Sequence, residues 1–192
     1  MGTAVSKAIA ADGTADRLIL IGRNRNKLEQ LVIEVSPVPA TASTEIADCK
    51  EAQIVVLMTS ATEALLGPEH LAPNTIVIDD TQPRNTTPDL LEQRPDIILI
   101  DGGIVLTPGL KRKGWDIGLP RDVSFACLAE TALLALNGHQ GHGVIGNPTL
   151  EQVNAIQKVA TKFSHLGFHL APPTSFGEAI EVPGWNQAET AL

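Results

Sequence analysis

The sequence has little with which to build crosslinks, metal cages or charged docking surfaces. Its two cysteines, Cys49 and Cys127, are too few for a disulfide framework and show no paired metal-ligand spacing, which fits a reducing, cytoplasmic setting. Of the five histidines, His139 and His142 flank the Gly-rich stretch "NGHQGHG" with no third ligand at a defined spacing, so no metal site is expected. No run of like charges is longer than the three residues Lys111-Arg112-Lys113, and the net charge is −8 with a pI near 5.0, which argues against electrostatic binding to nucleic acid or to an anionic membrane surface. No apolar stretch approaches the roughly 20 residues needed to cross a bilayer. No basic n-region precedes an apolar h-region either, so neither insertion nor export is expected. Small molecules or proteins are left as partners.

What is present is apolar material for one sizeable core: 43% of the 192 residues are hydrophobic. Thr3–Ala11 reads as a helix closed by the turn signal Asp12-Gly13, Arg17–Gly22 as a strand, and "RNRNKLEQLVIEV" as a second helix. The Pro-rich "SPVPATAS" leaves room only for a short edge strand. Ala52–Met58, Asn74–Asp79 and Asp96–Ile100 are short, β-branched and apolar throughout, the pattern of strands buried on both faces of a parallel sheet. Asp122–Asn137 has helical spacing and a Gly138 stop. "TLEQVNAIQKVATKFSHLGF" reads as a further long helix with a Gly167 stop. The expected fold class is α/β, a doubly wound Rossmann-like parallel sheet followed by C-terminal helices. The segments are 1–121, a partial nucleotide-binding domain, then 122–171, a helical part, and 172–192, a loosely held tail.

Several residues carry chemical possibilities. Cys127 lies near the start of a helix whose N-cap is expected at Asp122 or Ser124, where unpaired N–H groups and the helix dipole favour a thiolate. The same cysteine, beside Phe125, Ala126 and Leu128, also reads as a small buried hydrophobe. Cys49, in polar "ADCKEAQ", has no neighbouring base and no expected role. Arg23 and Asn24 follow the first strand, where a dinucleotide fold meets the adenosine ribose. A basic residue there favours a 2′-phosphate, with Arg25 or Lys27 assisting, and a solvated loop arginine is the plain alternative. Asp79 and Asp80 end one strand and Gly102 and Gly103 the next, at the edge where open α/β sheets bind ligands, although adjacent glycines also make a tight turn unaided.

Taken in order, "RLILIGRN", "AQIVVLMTSA", "IVIDDTQPRN", "DGGIV", "SFACLAETALLAL" and "TLEQVNAIQKVATKFSHLGF" resemble the middle and C-terminal parts of the fatty-aldehyde-forming acyl-carrier-protein reductases of cyanobacterial type. The resemblance covers Met1 to about Phe168, and its most specific piece is the "FACxAE" helix. It implies an oxidoreductase that reduces a long-chain acyl thioester, carried on acyl carrier protein or CoA, to an aldehyde. NADPH supplies the hydride and Cys127 holds the acyl group. The cofactor contacts it implies are Gly2, Arg23, Asn24, Ser60, Gly102 and Gly103.

Members of that family carry an N-terminal substrate region, then a strand and a G-x-T-G-x-x-G loop, of which Gly2 matches the last glycine. Met1 is therefore expected to correspond to an internal position. The first strand of a doubly wound sheet is central, so its absence implies that the strands at Arg17–Gly22 and Ile54–Met58 are not paired with each other. Two alternatives remain from the sequence. One is an oxidoreductase of the shikimate dehydrogenase or glutamyl-tRNA reductase type; the other is a non-catalytic, truncated cofactor-binding module.

Overall fold

A computed structural model describes residues 1–111, 114 and 116–185. The chain divides into two compact units, Met1–Ile100 and Asp101–Leu192. The fold is mixed α/β, with parallel strand pairs in the first unit and the C-terminal helices in the second.

The first unit opens with α1 (Gly2–Asp12), which ends where Gly13 turns left-handed at φ 73° and donates its N–H to Ile9 O. β1 (Leu18–Ile21) follows, then α2 (Arg25–Glu34) and β2 (Ala40–Ser43). β1 and β2 run parallel, Leu18 opposite Ala40. Leu20, Leu31 and Val35 form a small core beneath them, joined by Ala10 of α1. β3 (Ile54–Leu57), β4 (Ile76–Asp79) and β5 (Ile98–Asp101) form a second sheet in that order, with β3 and β4 parallel. β1 and β3 thus lie in separate sheets, the separation expected from the sequence, and residues 2–12 are helical and supply no strand.

The short helix α3 (Asp89–Gln93) leads to Arg94, whose guanidinium ties a distant loop to the segment just before β5. It donates to the carbonyls of Pro68, Leu71 and Ala72 at 2.7–2.9 Å and in a two-pronged grip to Asp96.

The second unit is antiparallel. β6 (Ile104–Leu106) sits between β7 (Val123–Phe125) and β8 (His169–Leu170). α4 (Ala126–Leu136) and α5 (Leu150–Lys162) cover this sheet, burying Ala129, Leu133 and Ala160 with Val105 and Phe168. α5 starts with a capping box: Thr149 accepts from Gln152 N while the Gln152 side chain accepts from Thr149 N.

Three segments differ from the sequence expectation. Val123–Phe125 is strand rather than first helical turn, because Ser124 pairs with Val105 and is fully buried, so neither Asp122 nor Ser124 caps α4. The long helix stops at Lys162, and Phe168 turns back into the core. Beyond Pro172, Thr174–Ser175 (β9) and Glu178–Ala179 (β10) make a hairpin fastened by Asp101, which accepts from Thr174 Oγ1, Phe176 N and Gly177 N. The rest of the expected tail, 186–192, lies outside the described residues.

Candidate functional site

In the second unit, α4 begins directly at the end of β7, with Phe125 as its N-cap residue and no side-chain cap. Cys127 is the second residue of the helix and is exposed. The Gly103 carbonyl accepts from Ala126 N at 2.8 Å, so the sequence-predicted glycine bonds the residue that precedes the predicted cysteine. Gly103 has φ 67°, a left-handed turn that places its carbonyl there, whereas Gly102 shows no such requirement. Beside this junction the Ser124 hydroxyl is buried without a hydrogen-bond partner among the described residues. The other cysteine is the opposite case. Cys49 is buried, and burial, reinforced by the charge of Asp48, pushes its thiol above the ordinary value.

The first unit holds the remaining predicted residues, and each has a structural occupation or none. Gly2 is the first residue of α1; a Cβ there would meet nothing within 4 Å, so no close approach demands a glycine. Asn24 caps α2, its side chain accepting from Lys27 N at 3.1 Å. Arg25 pairs with Glu29. Arg23, Lys27 and Ser60 are exposed.

A group that the sequence reading did not assemble lies at the carboxyl ends of β3 and β4. Asp79 is 3% exposed and saturated: Oδ1 accepts from Thr81 N and Oγ1, Oδ2 from Asn85 N and Thr86 Oγ1. Asn85, fully buried, spans to the other loop by donating to Ala61 O and Glu63 O and accepting from Thr59 Oγ1. The local run of Asp, Thr, Asn and Thr after a strand is the signal that could have located it. Asp80, next along, has its carboxyl raised by burial and then by the charge of Asp79. Among the described residues no three His, Cys, Asp or Glu side chains gather to hold a metal, and no helix is long and apolar enough to cross a membrane.

No family model matches the chain. A curated relative is the aminotransferase PigE of Serratia sp., 33% identical over 130 residues. The match covers 65% of this chain and 15% of the relative, so the chain spans a small part of that protein's length. This relationship corrects the function expected from the sequence. The named relative is an aminotransferase, not an acyl-carrier-protein reductase, and the oxidoreductase assignment, reduction of an acyl thioester and the NADPH cofactor fall with that resemblance.

Proposed function

We propose that this chain is an auxiliary α/β segment of an aminotransferase-type polypeptide, one that meets the carbonyl partner of transamination through Cys127. Transamination exchanges an amino group for a carbonyl, so one substrate offers an electrophilic carbon to which a thiol adds. The observation that carries the reading is the exposed Cys127 at the uncapped start of α4. Ala126 N is taken by Gly103 O, and the N–H groups that follow it in the first turn, lacking ladder partners, polarise a carbonyl oxygen brought to them. In the step itself the sulfur–carbon bond forms, the carbon–oxygen π bond breaks and the thiol proton passes to oxygen. Reversal returns the carbonyl compound unchanged, with no oxidant or reductant.

Pyridoxal phosphate, the cofactor of aminotransferase chemistry, requires a lysine amine and an acidic or arginine partner for its ring nitrogen. The described residues do not fit it. Lys7 is ion-paired to Glu34 at 2.6 Å, Lys162 donates to Asn137, and Lys27, Lys50, Lys111 and Lys158 are exposed. Asp79, the buried carboxylate at a strand end, has its acceptor positions filled from its own loop. The fold proposed to go with this function is Rossmann-like, with β2–β1 and β3–β4–β5 as two wings of a doubly wound sheet.

Iodoacetamide labelling with peptide mapping tests the reading. Cys127 labels in the native protein and Cys49 only after unfolding, and an aliphatic aldehyde added first slows labelling of Cys127. Labelling of Cys127 at the same rate with and without aldehyde overturns the assignment.

A further inference from the structure

We propose that the first unit binds a small primary alkylammonium in a cavity of about 300 Å³ between residues 64–70 and the helix α3, a site independent of Cys127. That volume is at the small end of ligand cavities and suits a short chain with one polar head. Leu65, Leu66 and Leu90 form the apolar part of the lining, and Leu66 and Leu90 are buried. Thr87 and Gln93 add uncharged oxygens that accept hydrogen bonds.

Both sides of the cavity are built from within the chain. Asn85 fastens one by donating to Ala61 O and Glu63 O and accepting from Leu65 N at 3.1 Å. Arg94 fastens the other through the carbonyls of Pro68, Leu71 and Ala72. A ligand entering such a site does not have to order it.

The charge in the cavity selects the ligand. His70 Nδ1 accepts from Gly67 N at 3.0 Å, so the ring carries its proton on Nε2, which lies 3.4 Å from Glu69 Oε1. Bonded in this way the ring is neutral: it orients the Glu69 carboxylate and leaves the charge uncompensated. Among the described residues no lysine or arginine pairs with that carboxylate.

Gly67 shows that the carboxylate has a built place. Its φ of −96° is open to any residue, so the backbone does not demand glycine there. What a side chain would meet is Glu69, since a Cβ at position 67 would stand 2.5 and 2.6 Å from the two carboxylate oxygens. The carboxylate thus lies across the bare Gly67 Cα with His70 Nε2–H beside it. An ammonium supplies the missing charge and three donors, for Glu69, Thr87 and Gln93, while its alkyl chain covers the leucines. A carboxylate ligand is repelled, and an alcohol gains the apolar contact without the charge.

The test is an NMR titration of the full chain with hexylammonium chloride, hexanol and hexanoate at constant ionic strength. Hexylammonium is expected to shift the amides of Leu65, Gly67, His70 and Leu90 saturably, hexanol to bind about tenfold more weakly for want of a charge-assisted bond, and hexanoate not to bind. Glu69→Gln, at an exposed position, is expected to bring hexylammonium down to the affinity of hexanol. Gly67→Ala keeps the charge but forces the carboxylate off its place, so it is expected to weaken hexylammonium as well. No saturable shift, equal affinities for amine and alcohol, binding of hexanoate, shifts confined to other residues, or parental affinity in either variant overturns the proposal. Tighter binding of acetyl-lysine-methylamide than of hexylammonium at the same amides makes a partner's lysine side chain the occupant and overturns the assignment to a free amine.

Discussion

The central strand of the second unit and the two innermost strands of the first are built alike and end up differently. β6 is three residues long, and its residues alternate between two partners: Val105 faces Ser124 of β7 while Ile104 accepts from Ala171 beyond β8. β1 and β3 are longer and just as apolar, yet among the described residues each has a neighbour on one side alone. Strand composition therefore reports the burial a strand is suited to, and neighbours decide whether it is reached. In the second unit α4 and α5 close over a five-residue buried cluster; in the first, Leu20, Leu31 and Val35 make a smaller one.

The largest effect expected from this contrast is in the cores. Leu133→Ala, in the closed cluster, costs about 3 kcal/mol, and Leu20→Ala, beneath the open sheet where neighbours can relax, about 2 kcal/mol. Urea unfolding of the two variants measures both, and the reverse order would break the comparison.

Next comes the polar tie of the first unit. Asn85→Ala leaves the carbonyls of Ala61 and Glu63 without their donor and costs about 2 kcal/mol. Because Asn85 N still reaches Asp79, the loss is confined to the loop after β3, and proteolysis of the native protein is expected to cut first there.

The smallest effects are electrostatic and have opposite signs. The Arg94 guanidinium, with Asn74 N, holds the Asp96 carboxyl well below the usual carboxylate range. Stability from this pair is complete above that range and is lost as pH falls through it, so Tm declines less steeply in acid for Asp96→Asn than for the parent. The Asp80 carboxyl is raised, so its contribution is complete at low pH and lost as pH rises through the raised value. Asp80→Asn is expected to raise Tm at neutral pH and leave it unchanged at about pH 3.

The runs around Ile54, Ile76 and Ile98 were legible as strands because short apolar, β-branched segments bounded by turn residues have few alternatives. α5 was legible as a long helix, though it ends at Lys162 rather than at the expected Gly167 stop. β7 was not, since three residues leading straight into a helix give no period of their own, and only pairing with β6 marks them as strand. The hairpin at Thr174–Ala179 was hidden for a similar reason: the carboxylate that fastens it, Asp101, lies 73 residues before Thr174. At the candidate site the helix carrying Cys127 could be read locally, although its start was expected at Asp122 or Ser124, whereas the bond from Ala126 N to Gly103 O depends on strand pairing. Asn24 was read as a ligand contact, and its side chain also caps α2, a role for which Asn is among the commonest residues.

Arg94 has a consequence for how this sequence can drift. It grips the segment 68–72 through main-chain carbonyls, which every residue type possesses, so mutations there can accumulate without losing the anchor. Position 94 has no such latitude. A lysine ammonium lacks the planar fork that reaches three carbonyls and both oxygens of Asp96 at once. Descendants of this chain are thus expected to keep the arginine while rewriting the side chains it holds in place.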